Sequence, residues 1–244
     1  MDFFYTHPQL IHADHLTIEG DEFSHLTHVM RKGVGDSFAV VDGRGNQYAV
    51  VIRRIERKVA WCEIGSHVRN AGEPPVAVHL GVGMLKNGSR FDYLVEKSTE
   101  LGVCSITPLT TERTIKGTAK TGRWKKIALA AMKQSGRSVL PEIRETSTFE
   151  QFVQSAAREA ELVVLHEKAP GYYRCGAAGS GSVIACVGPE GGFTDEEIAV
   201  SAAAGFRPVR IAPRRLRTET AAVAAVALCA DAGQRHDDQT RRKG

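Results

Sequence analysis

No two of the five cysteines form a C-x-x-C pair, and their number is odd. Cys62, Cys104, Cys175, Cys186 and Cys229 lie far apart in sequence. That argues against a disulfide framework and a cysteine-rich zinc site, and it suits a reducing cytoplasm. The histidines do not make up a ligand set either. His12 and His15 stand three apart, as do His25 and His28, but no third ligand has matching spacing and a metal site needs three or four. We expect no metal. The longest strongly apolar stretch, Ala221 to Ala230, is half of the ~20 residues that span a bilayer, so no membrane partner is expected. Met1-Asp-Phe-Phe-Tyr5 has neither a basic region nor an apolar core, and we expect no signal peptide. There is no G-x-G-x-x-G and no Walker sequence, which disfavours an ordinary nucleotide-binding α/β enzyme. We find no internal repeat or heptad run. One absence is local. From Arg113 to Arg137 there is no Asp or Glu among eight Lys/Arg, although the whole chain carries only +4. A solvated helix face mixes signs, so a one-sign block favours phosphate contacts.

What is present divides at Asn70-Ala-Gly-Glu-Pro-Pro75, a polar linker with two prolines. Residues 1–70 read as short strands. Ser37–Val41 and Gln47–Ile52 flank Asp42-Gly-Arg-Gly-Asn46, a hairpin signal, and Lys58–Ile64 adds a third strand. Glu22–Arg31 is a short helix candidate, closed by Arg31. A small β-barrel with one helix is the economical reading. Residues 76–233 alternate strand and helix, which signals an α/β domain with a mainly parallel sheet. The strands expected there are Val76–Val82, Ser105–Leu109, Leu162–Leu165, Val183–Val187 and Pro208–Ala212. Ser89 with Asp92 and Ser147 with Glu150 fit N-cap signatures, and Trp124–Gln134 reads as a basic helix. Gly171–Ser182 reads as a flexible spacer, and residues 234–244 as a disordered tail.

The chain is organised around Val183-Ile-Ala-Cys-Val-Gly-Pro-Glu-Gly-Gly-Phe193. A buried strand runs into a turn of three glycines and a proline, and Thr194 with Glu197 makes a capping box for the next helix. Strand, glycine-rich turn and helix form a place where α/β proteins hold ligands, at the strand's carboxyl end. A second unit of this kind follows: a short strand, the basic loop Pro213-Arg-Arg-Leu-Arg-Thr-Glu219, and an Ala-rich helix over Thr220–Ala232. That helix is apolar nearly all round, so most of its surface must be buried, by its own chain or by a partner.

GPEGGF followed by LRTETA resembles the RsmE-type 16S ribosomal RNA uridine N3-methyltransferases of the SPOUT superfamily. Lys97-Ser-Thr-Glu-Leu-Gly-Val103, Pro108-Leu-Thr-Thr-Glu-Arg113 and Gln134-Ser-Gly-Arg137 extend the resemblance over nearly the whole chain. It implies a SPOUT-type C-terminal domain with a trefoil knot, an exception to the rule that chains avoid knots. It also implies a PUA-like N-terminal RNA-binding domain, a homodimer, S-adenosylmethionine (SAM) as cofactor, and 16S ribosomal RNA or the small ribosomal subunit as partner. SAM would lie among Leu165, Val187, Gly188, Pro189, Glu190, Gly191, Gly192, Ile211, Leu216, Arg217 and Thr218, with Leu165, Ile211 and Leu216 against its rings.

Uracil N3 keeps its proton at neutral pH, so methylation there needs a group that favours the anion or accepts that proton. Arg217, or an arginine from a partner subunit, is the candidate cation, and Glu219 and Glu190 are candidate acceptors between which the sequence does not choose. Each carboxylate also has a plain structural role open to it, at a helix start or in a turn. Arg31, Lys86, Arg90, Arg113, Arg123, Gln134 and Arg137 are the candidate RNA contacts, more as phosphate positioners than base readers. Two alternatives stay open on sequence: a SPOUT enzyme acting on another RNA position or atom, and a non-catalytic RNA-binding assembly factor.

Overall fold

The computed structural model describes residues 3–114, 117–174 and 181–230. Lys116, Cys175, much of the Gly-rich spacer and the tail expected to be disordered lie outside the described residues. The chain forms two compact units, one of residues 1–73 with 129–140, the other of the remainder.

The first unit holds β1 (Phe3–Tyr5), β2 (His15–Ile18), α1 (Gly20–Ser24), β3 (Ser37–Val41), β4 (Asn46–Glu56) and β5 (Val59–Arg69). They make one sheet in the order β1-β3-β4-β5-β2, antiparallel except where β1 meets β3. The β3–β4 hairpin forms where Asp42-Gly-Arg-Gly-Asn46 placed it. The buried Asp42 carboxylate accepts the backbone N–H groups of Arg44 and Asn46 at 2.7 and 3.0 Å. Gly43 and Gly45 supply the positive φ, 72° and 92°, that the turn demands. α1 begins at Gly20, earlier than expected, and passes into a π-helical turn over His25–Val29. Arg31 follows with φ 53°, a left-handed end position usually taken by glycine. Phe4, Leu16, Ile18, Leu26, Phe38, Val40 and Ile52 pack as the core. Cys62 is buried there, and desolvation pushes its thiol up to about 12, so it is inert.

Arg137 corrects an expectation. Instead of standing free for RNA it is 1% exposed and clamped by Glu73, with Nη2 and Nε at 2.6 and 3.1 Å from Oε2. Glu73 Oε1 also accepts the N–H groups of Ser138 and Val139, both at 2.9 Å. The pair ties the linker to residues 137–139 within this unit.

The second unit contains β6 (Ala77–Gly83), α2 (Gly88–Glu100), β7 (Val103–Thr110), α3 (Thr121–Ser135, whose last turns belong to the first unit), β8 (Glu142–Ile143), β9 (Ser147–Thr148), α4 (Phe149–Gln154), β10 (Glu161–Leu165), β11 (Ser182–Val187), α5 (Asp195–Ala203), β12 (Arg207–Val209) and α6 (Thr218–Ala230). Its sheet is parallel throughout, ordered β12-β10-β11-β6-β7-β8 with β9 beside β7. Three of its helices are capped from their own sequences. Thr194 and Glu197 close the box expected at α5. At α4 the cap is Thr148 with Gln151, one residue later than Ser147 and Glu150, and at α2 it is Asn87, ahead of Ser89. Gly102, φ 99°, ends α2 as expected. Phe149, Phe152, Ile184, Phe193 and Phe206 form a core on one side of the sheet. α6 packs on α2, β6 and β11 within its own chain, so Ala225 is 1% exposed while Leu228 stays 41% exposed. Among the described residues no helix is long and apolar enough to cross a membrane.

Candidate functional site

β6, β10, β11 and β12 end in register: Val187 pairs with both Val82 and Leu165, and Leu165 pairs with Val209. The loops leaving β10, β11 and β12 therefore emerge side by side and enclose a cavity of about 430 Å³, within the range of small-molecule sites. Its walls are residues 165–168, 187–193, 209–212 and 214–218, with Arg90, Arg113, Asp195 and Ala221. All eleven residues proposed to hold the cofactor line it, Arg217 among them.

The glycine turn is built by close backbone contact, and each glycine has its own reason. A Cβ on Gly83, the last residue of β6, would lie 2.4 Å from Pro189 N and 3.0 Å from Gly188 C. One on Gly188 would lie 3.1 Å from the Gly192 backbone. Gly192 has φ 70°, and its N–H closes the turn on Pro189 O at 2.8 Å. Gly191 abuts Arg113, whose Nη1 donates to Gly191 O and Phe193 O at 3.0 and 3.3 Å. The α5 capping carboxylate serves twice: Glu197 Oε2 accepts from Thr194 N and Oε1 from Glu112 N, each at 2.9 Å.

Glu190 is spent on bracing. Its carboxylate accepts the Lys86 N–H at 3.2 Å, and its carbonyl accepts from Arg215 Nη2 at 3.3 Å. Glu219, at the start of α6, is different. It is 8% exposed, its Oε1 lies 3.6 Å from Arg90 Nε, and its Oε2 has no hydrogen-bond partner. A buried carboxylate oxygen left open in this way costs desolvation free energy and so marks a position of interest.

The RNA candidates separate. Arg90 and Arg113 line the cavity, and Lys86 stands exposed just beyond β6. Arg123 pairs with Asp92 at 2.9 Å, and the other oxygen of Asp92 accepts the Trp124 indole N–H at 3.1 Å. Arg31, Gln134 and Arg137 belong to the other unit. Sequence reasoning missed Gly83, and it saw Arg210 only as one of a basic cluster with Arg214, Arg215 and Arg217. Gly81-Val-Gly83 at a strand end was the available sign of the first. Arg210 lines the cavity with its guanidinium 4.5 Å above the Tyr172 ring and its buried Nε without a hydrogen-bond partner. Six arginines line the cavity against Glu167, Glu190 and Asp195, a surplus of positive charge that suits the approach of a phosphate-bearing partner. Among the described residues no three His, Cys, Asp or Glu side chains gather to hold a metal.

Two family models match the chain, one described as an RNA methyltransferase domain over residues 72–230 and one as an RNA methyltransferase PUA domain over 18–65. A ribosomal RNA small subunit methyltransferase E of Synechocystis is 33% identical over 226 residues, 90% of this chain and 73% of that protein. The same-named protein of Bacillus subtilis is 27% identical over 88% of this chain and 90% of its own. The ribosomal RNA small subunit methyltransferase E of Neisseria gonorrhoeae, solved with SAM bound, superimposes with a TM-score of 0.84 at 30% identity, covering 93% of this chain and 95% of that one. A putative methyltransferase of Legionella pneumophila, also with SAM, gives 0.78 at 31% identity, covering 95% and 97%.

Proposed function

The chain belongs to the family of small-subunit ribosomal RNA methyltransferases E, and from that premise we propose that it methylates N3 of a uridine in 16S ribosomal RNA, using SAM. The observation that carries this reading is the cavity beyond the carboxyl ends of β10, β11 and β12, which gathers every expected cofactor residue. The residues fit SAM: apolar walls at Leu165, Ile211 and Leu216, exposed main chain at residues 188–192, and no phosphate cradle, which SAM does not need. Bound there, SAM supplies an electrophilic methyl group. The chain's own work is positioning and charge, the main contributions to an in-line transfer. Arg217 stabilises the uracil anion. Glu219 holds Arg90 at the cavity through one oxygen, while its other oxygen is buried off the cavity wall, so the N3 proton leaves to water as the anion forms. N3 lies on the Watson–Crick edge, so the uridine must arrive unpaired or be extruded. Likeness to the SAM-bound structures supports a trefoil knot in the second unit, and the PUA match supports a barrel in the first. Ribosomal RNA as substrate supports a cytoplasmic location.

Calorimetry with SAM and transfer of labelled methyl to small subunits test the proposal. Binding followed by labelling of 16S RNA is expected; a protein that binds RNA but neither retains SAM nor labels RNA would make it an assembly factor.

The homodimer is part of the same reading. Leu228 on α6 and Tyr93 on α2 are exposed on helices that otherwise build the core. Ala225 already fills the core of a single chain, so Leu228 is the cleaner probe. Leu228→Arg is expected to give folded monomers by sedimentation that have lost most methyl transfer. Fully active monomers would remove the dimer from the mechanism.

Lys120, Lys125 and Lys126 are exposed in the one-sign block, whereas Lys133 is drawn to Glu22. Replacing those three by Ala is expected to weaken RNA binding and to reduce the slope of log K against log salt by up to about 2, at ~0.7 per single-strand phosphate. An unchanged slope would show the block to be a solvated face only.

A further inference from the structure

Four planar groups stack in series on the first unit. The His12 and His15 rings lie 4.6 Å apart with 25° between their planes, and His15 stacks on Trp61 at 5.8 Å and 28°. The Arg54 guanidinium lies 4.9 Å over the Trp61 ring. Three local features set up the series. β2 is the edge strand and pairs with β5, which brings His15 beside Glu63 and Thr17 beside Trp61. The bend before β2 is closed by the His12 N–H to His15 O bond at 2.8 Å, which places one ring on the other. Asp14 Oδ1 holds His15 Nδ1 at 2.7 Å and fixes the ring.

Ala60 and Cys62 alternate with Trp61 and point into the core, so the stack stands on the opposite face, clear of it. His12 and Arg54 at its two ends are exposed. The β4–β5 turn adds Arg57 and Lys58, both exposed, three or four residues from Trp61 in sequence. Arg53 is engaged by Glu63 and is not a free cation. Arg54 also lies 3.6 Å from Glu56. A row that ends in an exposed ring face at His12, with Arg57 and Lys58 nearby and without an ion pair among the described residues, matches what single-stranded nucleic acid presents: flat bases on a phosphate backbone.

We propose that the His12–His15–Trp61–Arg54 row is a stacking platform for an unpaired RNA base, outside the methyl-transfer cavity. A base extends the row from the open face of His12, while Arg57 and Lys58, in the turn beyond the other end of the row, take phosphates further along the strand. The proposal rests on RNA being the substrate, and it names a contact surface that the cavity does not supply. Stacking reads a π-face and not a base edge, so this platform anchors the strand and leaves the choice of nucleotide to the cavity.

Trp61 is itself the reporter. The chain has two tryptophans, and Trp124 is 2% exposed and bonded to Asp92. Full-length protein titrated with a short single-stranded RNA of mixed sequence should show quenched emission. Trp61→Phe, which keeps a ring in the row, should remove the quenching and keep the affinity. His12→Ala should weaken the same RNA roughly tenfold, His12→Tyr should restore it, and a duplex of the same sequence should quench little. Unchanged emission on saturation, together with unchanged affinity of His12→Ala, would overturn the platform. So would equal quenching by duplex, which would mark the row as a plain electrostatic contact. Methyl transfer by the unaltered protein is measured separately, so the platform can fail while the enzymatic reading stands.

Discussion

Gly83→Ala is expected to lower SAM affinity roughly 10- to 100-fold while leaving both units folded. The reason is steric and local. The new methyl would sit 2.4 Å from Pro189 N and 2.5 Å from Pro189 Cδ, where backbone and a proline ring offer no rotamer of escape. Overpacking of this kind costs about 1–3 kcal/mol. β6 is hydrogen-bonded along its length to β11 and β7, so the turn is the part that yields. Displacing residues 188–189 moves one wall of the cavity, and the cost then appears in binding at about 1.4 kcal/mol per factor of ten. Calorimetry with SAM checks it, with far-UV circular dichroism as the control for folding. Wild-type affinity in a folded Gly83→Ala protein would show that the glycine turn is not a cavity wall.

Glu73→Ala is expected to destabilise the first unit by about 3–5 kcal/mol, because removing one member of a buried ion pair strands the other charge. The loss includes more than Coulomb attraction, since the same carboxylate satisfies the N–H groups of Ser138 and Val139. Glu73→Gln should recover part of it, because an amide oxygen can still accept those two bonds. Denaturant unfolding followed by the emission of Trp61 reads the first unit, and a loss under about 1 kcal/mol would contradict the clamp.

Two of the three loops around the cavity, those after β11 and β12, were legible because each is announced locally. A short apolar run meets glycine or proline, then a helix start, and parallel strands in register bring such loops together. Gly83 was not legible because its neighbour is the turn after β11, more than a hundred residues on, and strand order is not written in either segment. Arg137 was misread for a similar reason. In a run of cations, one that serves phosphate looks the same as one whose carboxylate lies 64 residues away. β1 and β2, with three and four residues, are too short for periodicity to speak. His12 and His15 read in sequence only as an incomplete metal pair, since their partner Trp61 is supplied by β2–β5 pairing. α6 showed that it must be buried but not by what, and the fold divides the answer: Ala225 is covered within the chain and Leu228 is not.

Nucleoside mass spectrometry of 16S RNA tests the central claim most directly. RNA from cells with the protein should contain N3-methyluridine. RNA from cells without it should lack that nucleoside, and the wild-type chain should restore it where Gly83→Ala does not. Equal N3-methyluridine with and without the protein would contradict the account.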